Sequence, residues 1–588
     1  MTTDQNYQQI YRVGGMLDAG FVGQITYTIS LDQVYDELDI HFSFDKRLYS
    51  ESDVTPELID KLQTLCTAKY DAPTYPVEEF RQTILHEMKT EIHTMAELND
   101  NFIGCIHRQL TDRHMLYTKE FTSDGCLAQD TFSGVLKVTV LVFNVLLDNT
   151  QYTLTVSGHP VGQGVIAPNF NLMDTLKTAA GNAGASNAAG SADNSCDAES
   201  APASAVATAG SSGVSGAGSA ATAGDSSTTG SSSAGNTVTA STRFKRLELH
   251  NHTVESDGNL TCQELTEYLA ADHVDAFAIT DHNTTSGQKK IEQLLEEKHY
   301  PISLIRGMEY TTYFGHILCL NLAKYVPWNS IDQHRPELLF EAAREKGALV
   351  GIAHPFSYGD PFARGCRFEM TISDYSKVDF IEIFNNPEPL HEVNERGTNL
   401  WMSLIFSGYQ ITATSGMDLH NRAKLAGCYA TYIEGKNGGN IASELDTAIH
   451  THRTWVSKGA LLLTEVLPET NELLLTFTDA HKTGFFVPKT AQAVLKGKDK
   501  TFTTSVSLDK PVCVSLNQLS GTDPIIPLLY EAPGINGAAT VSNAAHVAAS
   551  TSCGSAADTS SAAGQLKEID ALPAIEGLLC VSPVLYRD

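Results

Sequence analysis

No stretch of this chain is rich in lysine and arginine. Its 40 basic residues face 69 acidic ones, and the formal charge is -29. Such a surface repels polyanions, so nucleic acid is not an expected partner. No CxxC pair occurs among the 11 cysteines, which argues against a cysteine zinc site. An odd number of scattered cysteines suits reduced thiols in a cytoplasmic protein better than a disulfide-stapled secreted one. No apolar run reaches about 18 residues, so no membrane span is expected. The start, MTTDQNYQQIYRV, has no apolar signal-peptide core. The nearest candidate span, Val135–Leu147, contains Lys137 and alternates as a strand does.

What is present divides the chain. Residues 173–243 and about 537–564 are almost wholly Ala, Gly, Ser and Thr. Such segments bury too little apolar area to offset ordering entropy, so a disordered linker and a disordered loop are expected. Ahead of the linker, 1–172 is rich in strand-like runs: ITYTISL, LDIHFSF, LKVTVLVFNVLL and YTLTVSG. From Val77 to Met95 the spacing is helical, with Phe80, Ile84, Met88 and Ile92 at steps of four. These features predict a β-sandwich-like accessory domain with a helical insertion and no chemical motif. Past about residue 460, LLLTFT, TFTTSVSL, PVCVSL and GLLCVSPVLYR predict a small β-rich domain.

Residues 244–459 alternate differently. RLELH precedes CQELTEYLAADH, and DAFAITDH precedes GQKKIEQLLEEK. ISLIRGMEY, HILCLNL, ALVGIAHP, FIEIFN and ITATSGMD follow as further strands. This is the pattern of an α/β fold with a largely parallel sheet or barrel. The polar residues fall at the strand ends: His250 and His252, Asp281 and His282, Glu309, His354, then Asp418 and His420. His316 is the exception and opens its strand. In a parallel barrel all C-terminal strand ends share one rim, so these side chains converge. Six histidines and three carboxylates there form an N/O donor set suited to Zn, Mn or Fe. They are more donors than one ion needs, so two or three divalent ions sharing bridging carboxylates are expected.

LHNHTVESDG, AITDHNTTSG, GMEYTTYFGH, AHP and SGMDLH resemble, in order, the motifs of the PHP (polymerase and histidinol phosphatase) superfamily of metallohydrolases. GMEYTTYFGH, VDFIEIFNNPEPLHEVNERGTNLWMSLIFSG and HTHRTWVSKG are similar to elements of its CehA/McbA-type branch. The resemblance implies a distorted (β/α)7 barrel whose metal ligands are His250, His252, Asp257, His282, Glu309, His316, His354, Asp418 and His420. Met417 departs from the family's usual serine before the last ligand pair, which removes a small hydrogen-bonding neighbour.

A metal-dependent phosphoesterase acting on a small phosphomonoester or phosphodiester through a metal-bridging hydroxide is the leading expectation. Glu309 is the expected bridging carboxylate, with His316 or His354 protonating the leaving group. Arg364, Arg367 and Arg422 are candidates for holding phosphate. Asn283, Asn385 and Asn386 are candidates for orienting substrate. A carbamate, ester or amide hydrolase is the second expectation, and a non-catalytic, metal-stabilised binding protein the third. A homo-oligomer formed through the β-domain is also possible on this sequence.

Overall fold

The computed structural model describes residues 7–70, 74–161, 243–329, 331, 334–385, 392–436, 438–480, 486–532, 562–563 and 566–586. The expected linker, apart from Arg243, and nearly all of the expected loop lie outside these residues, as does Asn386.

The amino-terminal segment forms one seven-stranded antiparallel sheet from Gln8–Leu17, Gly23–Phe44, Glu91–Leu98, Asn101–Ile106, Asp112–Tyr117, Phe132–Asn144 and Thr150–Pro160. The 22-residue strand Gly23–Phe44 pairs with Phe132–Asn144 through its first half. Its second half pairs with Thr150–Pro160 and Asp112–Tyr117. The register shifts between Leu31 and Tyr35 mark the changeover. One long strand therefore serves both ladders, and the sheet is continuous rather than split into the two sheets of a sandwich. Leu38, Ile40, Phe42, Leu136, Val138, Leu154 and Val156 share its core.

The helix expected over Val77–Met95 ends early. It covers Val77–Glu87, and Met88 turns to an extended backbone with ψ 127°. The following strand is Glu91–Leu98. The four-residue spacing crosses this break because two cores read it. Phe80, Ile84 and Met88 pack on the helix Pro56–Tyr70, whereas Ile92 enters the sheet core. Once extended, side chains alternate. Ile92 and Ala96 face the sheet's own core, while Met95 packs with Cys105, Leu141 and Phe143 against Met308, Tyr310 and Trp328 of the second segment. Both faces of Phe132–Asn144 are thus covered, which explains its nearly unbroken apolar run.

In the second segment seven strands follow one another across the sheet: Arg243–Glu248, Ala276–Ile279, Ser303–Thr312, Gly315–Leu320, Leu349–Ile352, Phe380–Phe384 and Thr412–Ser415. Six share one direction and Gly315–Leu320 runs against them. The mixed α/β class is as expected, and of the distorted (β/α)7 arrangement the structure shows seven strands with α-helices in four of their six connections. A two-residue turn at Tyr313-Phe314 joins the third and fourth strands as a hairpin, with no helix between them. A single 3-10 turn, Tyr375–Lys377, is the only helical element between the fifth and sixth strands. The end of the last strand returns to the first through hydrogen bonds from His252 N to Leu419 O (2.9 Å) and from Leu419 N to His250 O (3.2 Å). Beyond Arg243–Glu248 the sheet continues through Ala430–Gly435 and Thr454–Ser457 into Leu578–Val581, Ile526–Glu531, Thr490–Lys496 and Thr501–Ser507. The carboxyl-terminal strands thus extend the same sheet, with a four-stranded sheet beginning at Ala460–Leu467 packed on them.

Gly125 joins the two segments. Its N–H donates to Glu255 Oε2 at 3.0 Å and its carbonyl accepts from Thr284 Oγ1 at 2.9 Å. At φ +80° an added Cβ would lie 2.3 Å from the Cys105 carbonyl oxygen and 2.9 Å from that of Glu255. Gly20 has a similar φ of +77° with nothing within 4 Å. Gly20→Ala should therefore cost only backbone strain, about 1 kcal/mol, whereas Gly125→Ala adds overlap with main chain and should cost about 3 kcal/mol or more. Urea midpoints of the two variants check this, and equal values would mean that the junction yields freely.

Candidate metal centre

The rim is assembled by side-chain hydrogen bonds that tie its loops to the strands. Asn251 lies between the two histidines of the first motif. It donates from N to Thr280 Oγ1 (2.9 Å) and from Nδ2 to Ala278 O (2.9 Å), tying the loop to the next strand. Asp281 accepts from Thr253 N (2.7 Å), Thr253 Oγ1 (2.8 Å) and Ser256 Oγ (2.7 Å). It fixes the loop that carries Asp257. His354 and Asp418 have φ of +22° and +50°, a backbone region that non-glycine residues occupy at a cost, commonly at functional sites.

Glu309 is the hub. Its Oε2 lies 3.1 Å from His250 Nε2, 3.3 Å from His252 Nε2 and 2.9 Å from His282 Nδ1. Its Oε1 lies 2.8 Å from His316 Nδ1 and 3.0 Å from His354 Nε2. Asp418 Oδ1 stands 3.4 Å from His250 Nε2 and 2.9 Å from His252 Nε2. Asp257 Oδ1 stands 3.2 Å from His420 Nε2 and 3.6 Å from His282 Nε2. All nine residues in the expected ligand set therefore meet in one place. His316 fits for a reason of direction. Its strand runs antiparallel, so its beginning lies opposite Thr311 at the same rim.

These donors fit divalent cations. His250 Nε2, both ring nitrogens of His252, Asp257 Oδ1, Glu309 Oε2, His316 Nε2 and Asp418 Oδ1 are buried without a hydrogen-bond partner. Orphaned buried polar atoms are costly. Several nevertheless lie 2.9–3.6 Å from another donor atom, close but not aligned for a hydrogen bond. Ligands about 2.0–2.1 Å from a tetrahedral ion stand roughly 3.3 Å apart. Three groups overlap: His252, Asp257, His282 and His420; His250, His252, Glu309 and Asp418; His282, Glu309 and His316. His252, His282 and Glu309 each belong to two groups.

Electrostatics point the same way. Burial pulls the His250 imidazole down, but Glu382, Glu309 and Asp418 outweigh it and leave its pKa well above the usual value. Burial likewise lowers His282 and His354, and neighbouring carboxylates raise both overall. His420 is pushed up to about 10 by Asp418 and Asp257 against its burial. Burial would raise the Glu309 carboxyl, but His250, His316 and His282 hold it well below the ordinary range. The carboxylates thus draw protons onto His250, His282, His354 and His420 wherever cations do not neutralise them, whereas burial outweighs Glu309 at His316 and lowers it. Cations must displace those protons. Adding Zn²⁺ to metal-free protein in weak buffer at pH 7 should release protons, and apparent affinity should weaken as pH falls. An indicator-dye titration checks this; uptake with no proton release would contradict it.

Behind the ligands lies a carboxylate that sequence reasoning had only as part of the FIEIFN resemblance. Glu382 holds His250 Nδ1 at 3.1 Å and accepts from His354 N at 3.0 Å. Asn385 donates to it at 2.9 Å, so Asn385 acts on the ligands from behind. Glu382→Gln should weaken metal binding about 10–100-fold with the fold retained. Competition against a chelator measures this, and unchanged affinity would show that Glu382 does not orient the ligands. Met417 buries its side chain among Leu260, Leu265 and Leu419, and its N–H donates to Glu248 Oε1 at 2.7 Å.

The other expected substrate-binding residues lie apart from one another. Asn283 is buried, with Nδ2 donating to Thr311 O at 2.9 Å and Oδ1 accepting from Thr311 N at 3.2 Å. Arg364 pairs with Asp360 at 2.8 Å. Arg367 lies over the rings of Tyr70 and Phe356, with Nη1 buried and unpartnered. Between the two arginines, Cys366 O lies 3.1 Å from His354 Nδ1, so their loop rests on the centre. Arg422 is exposed and lies over Tyr268.

Sequence reasoning missed the contribution of the amino-terminal sheet. His107 Nε2 lies 3.4 Å from Asp257 Oδ2, and its ring stacks on His282 with centroids 4.2 Å apart. The available signal was LNDN. Asn99 and Asp100 both have positive φ, as in a two-residue hairpin turn. The hairpin pairs Thr94 with Ile106, and just beyond that pair the rings of His93 and His107 lie with centroids 3.9 Å apart.

Comparison with known proteins gives partial likenesses. Residues 7–160 match the model of a family of unknown function (DUF6669). The chain is 30% identical over 112 residues to an uncharacterised protein, MJ1587, of Methanocaldococcus jannaschii, covering 19% of this chain and 58% of that one. It is 36% identical over 141 residues to a 5'-3' exoribonuclease of Haemophilus influenzae, covering 23% of this chain and 50% of that one. The chain thus spans little more than half the length of these relatives. Among solved structures, a two-domain protein from Bacteroides vulgatus described as containing a predicted PHP-like metal-dependent phosphoesterase is 15% identical. The match covers 49% of this chain and 90% of that one, with a TM-score of 0.29. An amidohydrolase from Chromobacterium violaceum is 15% identical over 30% of this chain and 87% of that one, with a TM-score of 0.23. Among the described residues no helix is long and apolar enough to cross a membrane.

Proposed function

We propose that this protein is a metal-dependent phosphoesterase that hydrolyses a small phosphomonoester or phosphodiester. The observation that carries the hydrolase reading is the Glu309 carboxylate set among five imidazoles, with unpartnered buried ligand atoms around it. Two or three divalent ions held by the nine ligands would supply Lewis acidity and a nucleophilic water at neutral pH. The chain's own residues do the rest. Glu309 fixes the imidazoles around one point, while Glu382 and Asn385 hold His250 and the His354 backbone behind them. His420 and Asp257, with side chains 33% and 25% exposed, form the accessible edge at which a substrate arrives.

Phosphoester chemistry is favoured over carbonyl hydrolysis by the loop that rests on His354. It carries two arginines, and guanidinium groups suit phosphate oxygens. The relative from Haemophilus influenzae, named an exoribonuclease, also belongs to phosphodiester chemistry. The acidic charge of this chain favours a small substrate over a long polyanion.

The test is turnover of p-nitrophenyl phosphate, bis-p-nitrophenyl phosphate and 1-naphthyl methylcarbamate by protein loaded with Zn²⁺ or Mn²⁺. Phosphoester turnover is expected, with His252→Ala lowering kcat/KM by roughly 10³-fold or more and reducing bound metal. Carbamate turnover alone would replace this reading with the carbonyl hydrolase. Full activity and metal content in His252→Ala would remove the proposed centre.

A further inference from the structure

The amino-terminal sheet turns a buried polar group toward the metal centre. Glu91 and His93 stand two apart on one strand, and His107 follows the neighbouring strand of the same hairpin. Their exposures are 7%, 0% and 4%. One donor atom from each lies within 4.8 Å of the others. His93 and His107 have ring centroids 3.9 Å apart.

Hydrogen bonding alone does not account for this group. His93 Nε2 lies 3.2 Å from Glu91 Oε1 and 2.9 Å from Gln109 Nε2. One ring nitrogen cannot donate to the carboxylate and accept from the amide at once. Turning the Gln109 amide over would relieve the conflict and place its oxygen beside His93, at the cost of the 3.3 Å bond from Nε2 to His107 O. With the amide as placed, Gln109 Oε1, His93 Nδ1 and His107 Nδ1 are all buried without partners. Unsatisfied buried atoms of this kind point to a missing partner, a water or an ion.

We propose that Glu91, His93 and His107, with the Gln109 amide oxygen as a fourth donor, form an accessory site for a divalent metal ion. The donor types, two imidazoles and a carboxylate, match a borderline cation such as Zn²⁺. The site lies in the segment matched by the family of unknown function and shares no ligand with the nine of the main centre. His107 links the two, because its Nε2 faces Asp257 at 3.4 Å while its Nδ1 is free for the accessory ion. The ion would fasten the sheet to the rim and fix the ring that stacks on His282.

The test is metal content by inductively coupled plasma mass spectrometry on the full chain equilibrated with Zn²⁺. His93→Gln and Glu91→Gln avoid the residue that touches Asp257. Each is expected to lose about one zinc per chain and keep the rest, whereas His252→Ala loses metal from the main centre. Crystals of the unaltered protein measured at the zinc edge should show an anomalous peak among Glu91, His93 and His107. This arm does not depend on a variant folding. Unchanged zinc in both variants, or no peak there while the main centre is filled, would overturn the accessory site and leave the phosphoesterase reading intact. Zinc at the accessory position with none at the main centre would support this inference and overturn that reading.

Discussion

Everything at the rim depends on one buried carboxylate. Glu309 has no exposure to solvent, and an ionised carboxylate out of water is costly unless opposite charge surrounds it. Five imidazoles lie within 3.3 Å of its two oxygens. They come from three separate strand ends and from the start of a fourth strand, so the charge of one residue draws together much of the sheet. The charge is held by protons on His250, His282 and His354 or by cations among the imidazoles. Cations are the better solution because the unpartnered ligand atoms then gain bonds as well.

The fold supplies what that carboxylate needs by breaking its own regularity. A helical crossover between Ser303–Thr312 and Gly315–Leu320 would place the next parallel strand's beginning at the far end of the sheet. The tight Tyr313-Phe314 turn instead brings His316 directly back to Glu309. Loop bonds do similar work elsewhere. Leu419 exchanges backbone hydrogen bonds with the His250–His252 strip, which brings Asp418 within 3.4 Å of both histidines. The strained backbones of His354 and Asp418 persist because packing and hydrogen bonds on either side leave no relaxed alternative that keeps the ligands in place.

How much of this was legible follows from how local each signal is. Eight of the nine candidate ligands stood out because each lies beside a short apolar run, and strand direction then carries them to one rim; Asp257 sits in a loop and came only with the resemblance. Glu382 is next to the same signal but its partner is the unremarkable Nδ1 of His250, a contact 132 residues away in sequence. Regular alternation was over-read. Helical periodicity from Phe80 to Ile92 was real, but its last member serves a different core, and only the tertiary packing decides where a helix yields to a strand. The sandwich expectation failed on Gly23–Phe44, whose 22 residues looked like two strands because the bulge near Leu31 interrupts its alternation.

The polar face of the amino-terminal sheet shows why this segment is more than an attachment. A sheet face that only packed on the second segment would be apolar throughout, as it is at Met95, Cys105, Leu141 and Phe143. Toward the rim the same face changes to Glu91, His93 and His107, and there it meets Asp257 and His282 rather than apolar side chains. Gly125 secures that edge, since its close approach to Cys105 and Glu255 leaves no room for a side chain. The polarity of the sheet therefore tracks the polarity of what it covers. One wall of the centre is built by the amino-terminal sheet, and the geometry around Asp257 belongs to both segments together.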